Sequence, residues 1–290
     1  LLKENLNAIE ETFPLELYFC EDCKHIQLGH VVEPQFLFQN NYSYVSSTSA
    51  VFVKHLKDYS DSITERVNLT QKSFVIDIGS NDGTCLSFFK QKKMKVLGVD
   101  PAKEVSEIAN NNDIETLNDF FNKDTALKIE KKYGQADLIT SHNACAHIDD
   151  LRGVIDGVNI LMSNESVFVM EVGYFLDVFQ NKWFDTIYHE HVDFHTVAPL
   201  KKLFEPYGME IFDVERIEPQ GGSIRVMVQR KNGNFTIEES VNKLVNLESE
   251  LGLDKLKTFK VFESEINLVK KNFKNLLKEL KDSGKTIAAF

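Results

Sequence analysis

The sequence predicts an α/β protein: a Rossmann-like, mostly parallel sheet with a small irregular amino-terminal lobe and a carboxyl-terminal helical segment. Three observations carry this. Short apolar, β-branched runs recur from Phe74 onward ("SFVIDIGS", "KVLGVDPA", "IETLNDF", "ADLITSHNA" and "SVFVMEVG"), as strands of a buried parallel sheet read. Stretches able to form helices separate them, among them "TCLSFFKQKK" and "KEVSEIANNN", and such alternation implies crossover connections. The first strand ends in a glycine turn, "VIDIGSNDG", at the edge where open α/β sheets bind ligands.

Residues 1–62 form the lobe, since no long helical period begins before about Ala50. The core runs over 63–235. After its fifth strand, "VAPLKKLFEPYG" reads as a helix closed by Gly208. "MEIFDVERI" and "SIRVMVQR" read as two strands joined by "EPQGG". A hairpin-like pair ending a parallel sheet fits the class I methyltransferase arrangement better than a plain dinucleotide domain. Residues 236–283 turn helical, with Phe262, Ile266, Val269 and Phe273 at three- and four-residue steps, as in a packing or linker helix. Gly284 stops it, and residues 284–290 read as the first strand of a truncated domain.

Composition narrows the function. With 42% hydrophobic and 27% charged residues the chain has the makings of a folded core. Its net charge of −11 disfavours nonspecific binding to nucleic acid or acidic membranes. No apolar run is long enough to span a bilayer, and "LLKENLNAIE" lacks the order of a signal peptide. Four cysteines in 290 residues argue against a disulfide scaffold, and a cytoplasmic monomer is expected. Cys20 and Cys23, in "CEDC", read as half of a zinc site, because a thioredoxin-type motif would be followed by a helix rather than "KHIQLGHVVEP". His25 and His30 lie close enough in sequence to be considered as further ligands.

The glycine turn specifies a ligand. Asp77, Gly79 and Gly83 make D-x-G-x-x-x-G, not the dinucleotide G-x-G-x-x-G, with Ser80, Asn81 and Asp82 between the glycines. That pattern matches the loop holding S-adenosylmethionine, which has no pyrophosphate for an acidic loop to repel. Asp100, seventeen residues after Gly83 and followed by Pro101, ends the second strand where an acid can accept both ribose hydroxyls. Asp119 and Phe120 after the third strand would flank the adenine, and Asn143 after the fourth faces the same edge.

The densest chemistry lies in "WFDTIYHEHVDFHT", Trp183 to Thr196, with His189, Glu190, His191 and His195. "HEHVDF" nearly spells the H-x-H-x-D-H run of metallohydrolases, but Phe194 holds the last ligand position. A hydrolase using His189, His191 and His195 and a noncatalytic ligand-binding relic stay open as alternatives. Proton abstraction fits better: methylating a carbon requires a carbanion, usually an enolate, and a histidine titrating near neutrality suits as base. Glu190 could orient it or stabilise its imidazolium, while a tyrosine hydroxyl and a second histidine donate to the enolate oxygen.

Together "PLELYFCEDCKHIQL", "YSYVSSTS", "VIDIGSNDG", "NACAHIDDL", "YHEHVDF" and "GGSIRV" resemble, in order, the sugar C-methyltransferases acting on nucleotide-linked ketosugars. The resemblance implies a zinc-binding lobe, an S-adenosylmethionine-dependent core, and a nucleotide-linked 4-keto-6-deoxysugar methylated beside its ketone. It implies an acceptor site of Tyr42, His147, Tyr188, Glu190 and His191, with His191 the base. The family's zinc site uses two CxxC pairs, of which only Cys20 and Cys23 are present; the first would precede Leu1.

Overall fold

A computed structural model describes residues 11–39 and 42–288. From the amino terminus, β1 (Leu17–Phe19) and β2 (Ile26–Leu28) pair antiparallel, and α1 (Ala50–Arg66) leads into the core. There β3 (Phe74–Ile78), β4 (Lys95–Val99), β5 (Thr116–Leu117), β6 (Ala136–His142) and β7 (Met162–Gly173) follow one another. Helices α2 (Thr84–Gln91), α3 (Lys103–Asn111), α4 (Lys123–Tyr133) and α5 (Leu151–Leu161) connect them. Then come α6 (Phe175–Asn181), β8 (Asp193–Phe194), α7 (Val197–Phe204), β9 (Met209–Ile217) and β10 (Ser223–Arg230). Helices α8 (Glu239–Glu250) and α9 (Leu256–Asp282) end the order.

The main sheet runs β5-β4-β3-β6-β7-β10-β9, parallel through β7, with β10 antiparallel to both its neighbours. Each residue of β3 is buried, which is why "FVIDI" alternates no polar face. Chain order reverses at β3, between β4 and β6, so the carboxyl ends there open a crevice. Ser49 caps α1 by accepting from Phe52 N, and Leu56, Tyr59 and Ile63 pack it onto the sheet. The helix therefore straddles residue 62, where the sequence suggests the lobe ends. The helical tail is broken rather than continuous: Gly252, at φ +71°, separates α8 from α9. Of the predicted stripe on α9, Phe262 is buried against Phe175 and Phe179, whereas Val269 and Phe273 are exposed. Residues 285–288 form no strand and pair with none among the described residues; Ala289 and Phe290 lie outside them.

One polar feature crosses the interior. His142 on β6 pairs in register with Glu171 on β7, Glu171 with Arg225 on β10, and Arg225 with Glu215 on β9. Side chains of registered pairs share a face, so four strands carry a rank of alternating charge. Arg225 Nε donates to Glu171 Oε1 at 2.7 Å and its Nη1 to Glu215 Oε2 at 2.7 Å. His55 of α1 reaches Glu171 Oε2 at 2.7 Å from above. Burial alone would raise the Glu171 pKa, yet His142, His55 and Arg225 together bring it down to about 2. Arg225→Leu should lower unfolding free energy by about 3 kcal/mol, the lower end for breaking a buried pair because two imidazoles still face Glu171. Urea denaturation of the variant measures this; a midpoint unchanged from wild type would contradict it.

Candidate active site

Above the β3 edge lies a cavity of ≈ 980 Å³, lined from one side by the glycine turn and from the other by the histidine-rich segment. Gly79 adopts φ +71°, and a Cβ there would overlap the Ala144 methyl, so the turn packs too closely for any side chain. Gly83, at φ +77°, starts α2 against Ile114. Asp77 is buried at the end of β3 with Oδ1 unpaired. Asp100 Oδ2 accepts from Asn81 N at 2.8 Å and Oδ1 from Ala102 N at 2.9 Å. That fixes the carboxylate and leaves each oxygen another lone pair for a ribose hydroxyl. These groups fit S-adenosylmethionine. Burial raises the Asp100 pKa to about 6, against the pull of those two N–H groups. The carboxylate is the form that accepts from hydroxyls, so cofactor affinity should fall as pH drops through about 6. Calorimetry between pH 8 and 5 tests this; an affinity flat across that range would contradict it.

Several loop residues serve other ends. Asn81 Oδ1 accepts from Ser46 N at 2.9 Å and its Nδ2 donates to Tyr44 O at 3.0 Å. Asp82 Oδ2 accepts from Ser47 N at 3.1 Å while Oδ1 caps α2 through Thr84. Their side chains thus tie residues 44–47 across the site instead of reaching a cofactor. Asp119 turns away to Thr125 Oγ1, at 3.2 Å, and to Lys128, leaving Phe120 to line the cavity. Pro101 and Asn143 line it too, Asn143 at φ +56° with its N–H donating to Glu171 O at 2.8 Å.

The histidine segment is clipped into place by the lobe. β8 adds to β2, with Ile26 opposite Phe194, and Leu28 N donates to Val192 O at 2.8 Å. His25 Nε2 lies 2.6 Å from Asp193 Oδ1. On that base His191 Nδ1 sits 2.7 Å from the Thr186 carbonyl, which can only accept. Nδ1 therefore carries the hydrogen, and the Nε2 lone pair is free to accept from Tyr188 Oη, 3.2 Å away. Burial lowers the His191 pKa, against smaller opposing pulls from the Thr186 carbonyl and Glu190, so the ring is neutral. His147 is locked the same way, with Nδ1 2.7 Å from the Glu190 carbonyl and its ring centroid 5.0 Å from that of His191. Burial, with His191 alongside, brings the His147 pKa down to about 4. A neutral imidazole so locked offers a lone pair at Nε2, not the donor expected for an enolate oxygen. Of the two roles expected for Glu190, the Thr186 carbonyl takes that of orienting His191, and the Glu190 charge favours its imidazolium. Tyr42 lines the cavity, and burial and then Glu190 raise its pKa, keeping it a hydroxyl.

The three histidines of the metallohydrolase reading do not converge. His189 reaches out to the Pro14 carbonyl at 3.2 Å, and His195 is fully buried beneath β8. At "CEDC", Lys24 N donates to Cys20 O at 2.9 Å, and hydrogen bonds from Cys23 and Asp22 lower the Cys20 pKa. Burial raises the Cys23 pKa, so the turn favours the thiolate at Cys20 and not at both sulfurs. His25 is engaged by Asp193 and His30 stacks on Phe13, so the described residues supply two of the four donors a structural zinc takes. The sequence reading missed His142, Glu171 and Arg225. The signal was present: each is a charged or titratable residue inside an otherwise apolar strand run.

Fold and site together define a class I S-adenosylmethionine-dependent methyltransferase. Residues 52–214 match the family described as "Methyltransferase domain", 218–290 "C-methyltransferase C-terminal domain", and 1–38 "Putative zinc binding domain", the lobe to which the sequence assigns zinc. The C-methyltransferase NovU of Streptomyces niveus is 32% identical over 281 residues, covering 97% of this chain and 67% of that protein. A solved S-adenosylmethionine-dependent methyltransferase from Anabaena variabilis superposes with a TM-score of 0.50 at 18% identity, covering 66% of this chain and 89% of that one. The chain belongs to the C-methyltransferase family and is an S-adenosylmethionine-dependent enzyme. No helix among the described residues is long and apolar enough to cross a membrane.

Proposed function

We propose that the chain methylates a nucleotide-linked 4-keto-6-deoxysugar at the carbon next to the ketone, with His191 as the base. The observation that carries this is the tautomer of His191: its Nδ1–H is committed to the Thr186 carbonyl, so a neutral ring offers its Nε2 lone pair at the cavity. Nε2 takes the proton from the carbon beside the ketone, and the electron pair moves onto the carbonyl oxygen as an enolate. Tyr188, released from Nε2 as that atom takes the proton, and Tyr42, both held as hydroxyls by burial and by Glu190, are the donors that stabilise that oxygen. Bound S-adenosylmethionine supplies the methyl group. The substrate carbon would form the new C–C bond to that methyl, and the pair of the broken methyl–sulfur bond would stay on sulfur. Glu190 then favours the imidazolium that His191 has become.

Among the described residues, the cavity lining includes no lysine or arginine and several carboxylates, Asp77, Asp100 and Glu190 among them. That supports entry of the uncharged sugar ring, with the diphosphate at or beyond the mouth. The test supplies a nucleotide-linked 4-keto-6-deoxyhexose and the same compound reduced to the alcohol at C4. Methyl transfer to the ketone alone is expected. Equal transfer to both would reject an enolate route.

A further inference from the structure

The rank of alternating charge ends at the cavity, in a residue the reaction described above leaves idle. The His142 side chain is 5% exposed, and neither ring nitrogen has a hydrogen-bond partner. Asp77 Oδ1 lies 3.8 Å from its Nδ1 and Glu171 Oε2 3.9 Å from its Nε2, both too far. Asp77 Oδ1 is buried and unpaired beside it. Orphaned polar atoms in an interior are costly, and both residues line the same cavity. A ligand that pairs them is the simplest account.

Sheet order says which part of the cofactor arrives there. Asp100 follows β4, Gly79 follows β3 and His142 ends β6, three neighbouring strands in that order. A cofactor with its ribose on Asp100 and its sulfur at Gly79 would carry its amino-acid end toward β6. That end carries an ammonium and a carboxylate. Asp77 brings a carboxyl group whose pKa burial raises against the pull of His142, and the only cavity-lining cations available among the described residues are imidazoles. Burial keeps His147 and His191 neutral.

We propose that His142 is a cofactor-binding residue whose imidazolium donates to the carboxylate of S-adenosylmethionine, while Asp77 receives the ammonium. Burial works against a charged His142, but Glu171 and then Asp77 outweigh it and raise its pKa, with Arg225 opposing from beyond Glu171. The Tyr59 ring stands edge-on to it at 4.5 Å, and the Cys85 thiol faces it from α2. A metal held by Asp77, Cys85 and His142, whose donor atoms lie within 4.8 Å of one another, is the competing occupant. It would need a thiolate, and burial pushes the Cys85 pKa well up.

The inference rests on the cofactor assignment, so the test separates the two. S-adenosylhomocysteine and 5′-methylthioadenosine share the adenosine and the sulfur, but only the first has the amino-acid end. By calorimetry, His142→Gln should weaken S-adenosylhomocysteine about 10–100-fold, the scale of a charge-assisted hydrogen bond, and leave methylthioadenosine within about twofold. In the wild type, S-adenosylhomocysteine affinity should also fall as pH rises through the His142 titration, while methylthioadenosine affinity does not. Unchanged S-adenosylhomocysteine affinity in the variant overturns the proposal. So does a parallel loss for both ligands, which would mark a structural role, or a stoichiometric metal that Cys85→Ser releases. A wild-type chain binding neither ligand would overturn it together with the cofactor assignment.

Discussion

His191→Asn should reduce methyl transfer by about 10²–10⁴-fold, the usual worth of one general base, while S-adenosylmethionine affinity stays within a few-fold of wild type. The asparagine amide can still donate to the Thr186 carbonyl that accepts from Nδ1, so the loop keeps its anchor but loses its lone pair. The cofactor contacts we propose are those of Gly79 and Asp100, which line the cavity away from this loop. Glu190→Gln should cost less, since the Thr186 carbonyl and not the Glu190 side chain holds the ring. Steady-state rates and calorimetry on both variants check this. A His191→Asn enzyme within tenfold of wild type would pass the role of base to Tyr188 or His147.

Gly79→Val should abolish detectable cofactor binding. A β-branched residue at φ +71° is strained by about 1–3 kcal/mol. Its Cβ would also overlap the Ala144 methyl, which is fixed in the turn leading to His147. Relief requires the β3 turn and the 143–147 segment, which both line the cavity, to separate. Binding of S-adenosylhomocysteine and the melting temperature should both fall, binding by far the more. Near-normal binding by a folded Gly79→Val variant would show that the turn does not approach the ligand.

The strands were legible because parallel strands buried on both faces leave an uninterrupted apolar run, as "FVIDI" and "VFVM" do. The glycine turn and Asp100 were legible because backbone approach and a fixed carboxylate restrict residue type. What stayed hidden depends on partners with no sequence signature. Thr186 and Glu190 set the tautomers of His191 and His147 through backbone carbonyls, which every residue possesses. Asn81 and Asp82 look like cofactor ligands until Tyr44, Ser46 and Ser47 arrive to occupy them. The rank from His142 to Glu215 exists only once the strand registers are known. The break in the helical tail at Gly252 left the three- and four-residue steps on either side intact, so periodicity did not show it.

Deprotonation at carbon by His191 precedes methyl transfer in the proposed reaction, and hydrogen exchange isolates that step. The full chain is incubated with the nucleotide-linked ketosugar and S-adenosylhomocysteine, which has no methyl to give, in deuterated water. Mass spectrometry then follows the hydrogen on the carbon beside the ketone. The wild type should incorporate one deuterium there, and His191→Asn should incorporate it no faster than the sugar does without enzyme. Exchange by His191→Asn at the wild-type rate would contradict the account.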